Sequence, residues 1–184
     1  MTDEDPNAQP RPDWGEPRAK TITWHDPLAA ARIGATMAGL DYLRAMRDGV
    51  LPAPPIAALF GMRLVDVDVG TVTFSCTPDE SSYNPIGLIH GGLVCTLLDS
   101  ALGCAVQSTL PAGVGYASIE IKVNYVRPVH ADGRELVTYG RVTKPGRRVA
   151  FAEGDVRNLD GLVVATASGS CLIVTAVCLG PAST

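Results

Sequence analysis

The segment 91–110 restricts the possible folds of this chain more than any other part of the sequence. Its twenty residues contain one charged side chain, Asp99, and most of the others are aliphatic or small. Because apolar residues fall on nearly all sides of a helix here, the segment needs cover from the rest of the protein. Burying an unpaired carboxylate costs several kcal/mol, so we expect Asp99 to be neutralised, paired, or exposed at a cavity that uses its chemistry.

This segment is about long enough to cross a bilayer, but its composition argues against insertion. Asp99 lies near its centre, where a charge is costly in a membrane. Polar residues accompany it, among them Thr96, Ser100, Gln107 and Ser108. We therefore expect a helix enclosed by protein.

Runs rich in Val, Ile, Thr and Tyr lie on both sides of this helix and predict β-strands. They cover residues 62–69, 71–77, 116–126, 135–143, 147–158 and 162–175. Gly70, Asp132-Gly133, Pro145-Gly146 and Asp160-Gly161 mark short turns between some of them. The predicted order is one hairpin, one long helix and then an antiparallel meander, an α+β fold in which the sheet wraps around the helix.

Composition also divides the chain into parts. Residues 1–25 are polar and rich in proline, which predicts a disordered or loosely ordered tail. Helical spacing of apolar residues predicts an extra N-terminal helix in an extension over residues 26–51, with Asp26 as N-cap and Gly49 marking its end. The main domain is expected over residues 52–178, followed by a C-terminal tail over residues 179–184.

Overall composition excludes several classes of protein. The five cysteines lack CxxC or metal-ligand spacing, and the three histidines are scattered, so the sequence predicts reduced thiols, no metal and no cofactor. The absence of a signal-peptide pattern predicts a cytoplasmic protein. Net charge is −4, yet residues 122–148 carry seven basic and two acidic side chains. This favours a small polyanionic ligand over nucleic acid, although a solvated strand face would give the same pattern.

Gly91 and Gly92 stand where the helix should begin. Backbone N–H groups at a helix start lack intrahelical partners, and without side chains there a substrate carbonyl could approach them. Such donors would form an oxyanion hole, whereas in the alternative interpretation the two glycines serve only a tight turn. Asp99 lies eight residues beyond Gly91, or roughly 12 Å along the helix axis, so it could reach that carbonyl only from a second, antiparallel copy of the helix. The chemistry therefore predicts a two-fold dimer.

The motif Asn84-Pro85-x-Gly87-x-x-His90-Gly91-Gly92, with an acid nine residues after the histidine, resembles the PaaI-type branch of hotdog-fold acyl-CoA thioesterases. The resemblance covers about residues 55–176 and continues in Ser118-x6-Tyr125-x-Arg127-Pro128 and in the segment 146–151. It implies a hotdog fold, hydrolysis of an acyl-CoA to a free acid and CoA, and a homodimer with shared active sites, with two such dimers expected to form a tetramer.

The resemblance also implies roles for individual residues. Asp99 would act as a general base on water or attack the thioester directly. Asn84 would help to hold the thioester carbonyl, His90 would fix the loop or polarise that carbonyl, and Ser118 would orient the water. Arg147 and Arg148 would bind CoA phosphates. Some relatives have a hydroxyl residue where this chain has Gly103, which predicts a roomier acyl pocket at that point.

Two other functions remain open on the sequence alone. A hotdog hydratase or dehydratase would use a histidine and a carboxylate for proton transfer at an enoyl thioester. The long separation of His90 from Asp99 favours hydrolysis instead. A non-catalytic acyl-CoA-binding protein could keep the fold without turnover, but it would gain little from burying Asp99.

Overall fold

The computed structural model describes residues 13–175, so the C-terminal tail and the first twelve residues of the predicted N-terminal tail lie outside it. The chain forms four α-helices and six β-strands within the described residues. The helices are α1 (Pro27–Gly34), α2 (Gly39–Arg47), α3 (Pro55–Phe60) and α4 (Gly91–Gln107); the strands are β1 (Met62–Asp68), β2 (Thr71–Cys76), β3 (Gly115–Tyr125), β4 (Leu136–Lys144), β5 (Val149–Arg157) and β6 (Val163–Val174).

The six strands form one antiparallel sheet in the order β1-β2-β4-β5-β6-β3. Helix α4 contacts every one of these strands, and its side chains make the centre of the hydrophobic core. Leu97, Leu98 and Ala101 are fully buried there. This burial explains why the helix is apolar on nearly all sides, and it confirms the predicted α+β hotdog fold.

The position of β3 differs from the sequence-based expectation. A continuous meander would have paired β3 with β4, but β3 pairs with β6 at the edge of the sheet, and β2 pairs with β4. The connection over residues 126–135 therefore crosses the end of the sheet instead of forming a hairpin. This pairing places Ser118 opposite Cys171.

The N-terminal extension contains two helices where the spacing predicted one. The helix breaks at residues 35–38, and Gly39 then approaches α4 so closely that an added Cβ would lie 1.7 Å from the Gln107 carbonyl oxygen. The Gly39 N–H also donates to the Leu110 carbonyl at 2.9 Å. Leu43 of α2 is 1% exposed within the core cluster. The extension therefore packs as part of the main core.

Residues 13–26 have no regular secondary structure, but two cations attach them to the domain. Lys20 Nζ lies 2.6 Å from Asp79 Oδ2, and Arg18 pairs with Glu80. Both acids lie just before the loop that carries Asn84. No helix within residues 13–175 has the length and hydropathy to cross a membrane.

The two edges of the sheet have different chemical character. On β1, Asp66 and Asp68 lie 3.8 and 3.7 Å from Arg47 and Arg44 of α2. On β3, Ile119 and Tyr125 are each 55% exposed. Since β3 pairs with no strand on its outer side within the described residues, its backbone groups there are open to another chain.

Candidate active site

Asp99 lies half-buried on α4 and faces β3. The Ser118 hydroxyl donates a hydrogen bond to Asp99 Oδ1 at 2.8 Å. Both residues line a pocket of about 440 Å³, together with Cys95, Thr96 and residues 119–121. The carboxylate is therefore held by a hydroxyl at an open pocket, so its position matches the last of the three situations that its sequence context allowed, exposure at a cavity.

His90 caps the start of α4. Its Nδ1 accepts a hydrogen bond from the Gly92 N–H at 2.8 Å, so the expectation that both glycine amides are free is wrong for Gly92. The Gly91 N–H has no acceptor within residues 13–175. Tyr125 Oη donates to the Gly91 carbonyl at 3.0 Å and so braces the first turn from β3. One helix-terminal donor, that of Gly91, remains for a ligand.

Asn84 closes the loop that leads into α4. Its side-chain oxygen accepts from the N–H groups of Ile86 and Leu88, each at 3.1 Å. With its oxygen so used, the Asn84 side chain presents its NH₂ group as the remaining donor. Asn84 and Gly91 line the same pocket, of about 430 Å³.

The expected site residues therefore form two groups within one protomer. Asn84, His90 and Gly91 gather at the start of α4, whereas Asp99 and Ser118 line a different pocket. Eight residues of helix separate Gly91 from Asp99, or roughly 12 Å. A single carbonyl cannot contact both groups in one protomer.

The expected open space at Gly103 is occupied. A Cβ at this position would lie 2.2 Å from Tyr116 Oη and 2.5 Å from the nearest ring carbon. The Tyr116 side chain thus takes the volume that a larger residue 103 would fill. The expectation that Gly103 makes an acyl pocket roomier at this point is therefore wrong. The position of Gly103 in the sequence gave no sign that the Tyr116 side chain would fill this space.

Arg147 and Arg148 lie exposed in the β4–β5 turn. Neither has a carboxylate partner within the described residues, unlike Arg134 and Arg141 of the same basic segment, which pair with acids. Strand pairing places Ala150 opposite Cys171, which in turn pairs with Ser118. The turn is therefore near the end of the sheet that carries Ser118, about two strand spacings or ~10 Å to the side.

The thiols near Asp99 are poor nucleophiles. Burial, and to a smaller extent the charge of Asp99, raises the pKa of the Cys95 thiol. Burial raises the pKa of Cys104 to about 12. Since the thiolate is the reactive form of cysteine, the carboxylate is the better-suited reactive group in this region.

Comparisons with known proteins identify chains that resemble this one. A family model described as the thioesterase superfamily matches residues 86–165. Acyl-coenzyme A thioesterase 13 of Mus musculus is 34% identical over 80 residues, which are 44% of this chain and 56% of that protein. The chain thus spans little more than half the length of this curated relative.

Solved structures extend the likeness over most of the domain. A putative thioesterase from Ralstonia eutropha JMP134, a phenylacetic acid degradation-related protein, is 28% identical with a TM-score of 0.65 and covers 71% of this chain and 98% of its own. The protein smu.793 from Streptococcus mutans UA159, solved bound to acetyl CoA, is 26% identical with a TM-score of 0.57 and covers 61% and 88%.

A sheet wrapped around a central helix, whose glycine-containing start is capped by His90 and which carries a carboxylate two turns later, defines a hotdog fold. The matched family model and the solved relatives make this assignment more specific. That match, to the thioesterase superfamily, covers residues 86–165 of the chain.

Proposed function

We propose that this protein hydrolyses acyl-CoA thioesters to a free acid and CoA. The observation that carries the proposal is the hydrogen bond from Ser118 to Asp99 at an open pocket, in a chain whose residues 86–165 match the thioesterase superfamily. Ser118 occupies one carboxylate oxygen and leaves Oδ2 to accept a proton from water. The mouse relative is named as an acyl-CoA thioesterase and smu.793 was solved with acetyl CoA, which supports the substrate class.

The proposed reaction uses the side chains of Asp99 and Ser118, the backbone N–H of Gly91, one water molecule and the substrate. The Gly91 N–H donates to the thioester oxygen, where negative charge develops as water attacks the carbonyl carbon. Asp99 accepts the proton from that water, and Ser118 holds the carboxylate and orients the water. The C–S bond then breaks, and the CoA sulfur leaves and takes up the proton. The Asn84 NH₂ group is a second donor to the carbonyl, and His90 holds the helix start in place.

We further propose that each site is shared between two protomers. The open outer edge of β3 can pair with β3 of a second copy around a two-fold axis. That pairing sets two α4 helices side by side in opposite directions, and Asp99 of one protomer then approaches Gly91 of the other. The separation of the two groups of site residues within one protomer supports this arrangement. Two such dimers stacking into a tetramer remains a prediction.

The CoA half of the substrate carries phosphates, for which exposed and unpaired arginines are suitable partners. We assign this role to Arg147 and Arg148. Their closeness to the end of the sheet that carries Ser118 supports the assignment.

The experiment that tests the function measures free CoA released from acetyl, butyryl, decanoyl, palmitoyl and phenylacetyl thioesters, with an enoyl-CoA included. We expect release from at least one saturated or aryl substrate and no hydration of the enoyl group. Saturable binding without release from any substrate would contradict the proposal and favour a binding protein. Hydration of the enoyl-CoA would instead favour a hydratase.

A heterodimer tests the shared site. One subunit carries Asp99→Asn and the other Gly91→Pro, each with a different affinity tag, and tandem purification isolates the mixed dimer. In a shared arrangement one site is intact and the other has both changes, so we expect about half of the wild-type kcat per dimer. If each site belonged to one protomer, both would be damaged and activity would stay at the level of the single variants.

A further inference from the structure

Tyr116 and Gly103 meet one helical turn beyond the catalytic carboxylate. Gly103 follows Asp99 by four residues and lies on the same face of α4. Tyr116 precedes Ser118 by two residues and lies on the same face of β3. Tyr116 Oη lies 2.2 Å from the point where a Cβ of residue 103 would be. Any side chain at position 103 would collide with this ring. Glycine at this position is what lets Tyr116 lie against the helix.

This contact lies beyond one end of the Asp99 pocket. The other residues that line the pocket come earlier on α4, at Cys95 and Thr96, or later on β3, at residues 119–121. Asp99 and Ser118 therefore lie at the end of the pocket nearest to Tyr116. A thioester carbon held beside them would have the tyrosine ring about one turn, or roughly 6 Å, further along the helix.

A second cavity lies on the other side of Tyr116. It has a volume of about 290 Å³, and Tyr116 and Cys104 form part of its wall. The N-terminal extension supplies the opposite wall through small or apolar residues, among them Ala31, Gly34, Leu43 and Met46. Because these walls are mostly apolar, the cavity suits a hydrocarbon chain better than it suits the polar CoA moiety.

We propose that Tyr116 is a specificity-determining residue that limits the length of the acyl chain. This inference rests on the proposed thioester hydrolysis. The acyl group extends from Asp99 along α4 toward Gly103 and stops at the Tyr116 ring. A distance of roughly 6 Å accommodates about four carbon–carbon bonds of ~1.5 Å each, so short acyl groups fit and long ones do not. Removing the ring joins the Asp99 pocket to the cavity beneath α1 and α2.

The test compares kcat/KM for butyryl-, decanoyl- and palmitoyl-CoA in the wild type, Tyr116→Phe, Tyr116→Leu and Tyr116→Ala. We expect the wild type and Tyr116→Phe to prefer butyryl-CoA, because the phenyl ring alone blocks the passage. In Tyr116→Ala, the ratio of decanoyl to butyryl kcat/KM should rise by at least about tenfold, since several methylene groups gain apolar contacts. Tyr116→Leu should raise the same ratio. If the alanine variant does not fold, the leucine variant alone tests the inference.

Tyr139→Ala is the matched control, because Tyr139 is a half-exposed tyrosine on β4 that lines neither cavity. It should leave the ratio unchanged. An unchanged ratio in folded Tyr116→Leu and Tyr116→Ala would overturn the inference, as would wild-type turnover of palmitoyl-CoA equal to that of butyryl-CoA. If the wild type hydrolysed no thioester, the proposed function would fail separately. Calorimetric binding of S-butyl- and S-decyl-CoA thioethers would still measure whether Tyr116→Leu admits the longer chain.

Discussion

Asp99→Asn is expected to lower kcat for acyl-CoA hydrolysis by about 10²–10⁴-fold, the usual contribution of a positioned general base. The amide has nearly the same shape as the carboxylate, and its oxygen can still accept the 2.8 Å hydrogen bond from Ser118. It cannot take a proton from water at neutral pH. Steady-state release of CoA, followed with a thiol reagent, measures the loss, and KM should change little.

Glu120→Gln is the matched control for this experiment. Glu120 lines the same pocket and carries the same charge, but its carboxylate makes only a 3.4 Å contact with the Ser170 hydroxyl. We expect this variant to keep activity within a few-fold of wild type. Comparable kcat for Asp99→Asn and wild type would show that the base is elsewhere. Equal losses in both variants would indicate that the charge of the pocket, and not proton transfer, is what matters.

Gly91→Pro is expected to lower kcat by about 10²–10³-fold, the usual cost of losing one oxyanion-hole donor. The substitution removes the N–H of Gly91, which makes no hydrogen bond within residues 13–175. Proline is well tolerated at the first position of a helix, which is where Gly91 stands. His90 has φ −61° and ψ 132°, the extended conformation that a residue before proline prefers. The helix should therefore form as before.

Gly91→Ala is the control that separates the effect of losing the Gly91 N–H from the steric effect of adding side-chain carbon atoms. A Cβ at position 91 would lie 3.0 Å from the Tyr125 ring, so both variants require a small shift of that side chain, but alanine keeps the N–H. We expect Gly91→Ala to lose much less activity than Gly91→Pro. Similar losses in the two variants, with far-UV circular dichroism unchanged, would mean that crowding at Tyr125 and not the amide controls turnover.

Local patterns in the sequence were enough to predict the six strands and the central helix of the fold. Runs of β-branched residues marked all six strands, and the long uncharged segment marked α4, because both signals depend on neighbours along the chain. The partner of β3 was not predictable in this way. Local sequence allows β3 to pair in antiparallel fashion with either β4 or β6. The choice between them depends on how the sheet closes around the helix. The break between α1 and α2 likewise depends on the contact of Gly39 with Gln107.

In the candidate site, too, features that depend on contacts between distant residues could not be predicted from the sequence. Asp99 stood out because it is the one charge in its segment, and the glycine pair stood out by composition. That His90 would take the Gly92 N–H was not visible, since a histidine N-cap and a loop histidine look alike in sequence. Tyr116 was missed because nothing in its spacing reveals that Gly103, thirteen residues away, leaves room for its ring.

The contrast between the two sheet edges has a consequence for how the protein behaves at high concentration. A strand with an unpaired edge can form hydrogen bonds with a strand of another molecule. A sheet with two unpaired edges could therefore add further copies at both sides and form fibres. Here the β1 edge carries Asp66 and Asp68 beside the arginines of α2. Buried in a strand-to-strand contact, these charges would be costly. In the proposed dimer, pairing through β3 occupies the edge that is open within residues 13–175 of each copy, and the charged β1 edge then disfavours further growth along the sheet.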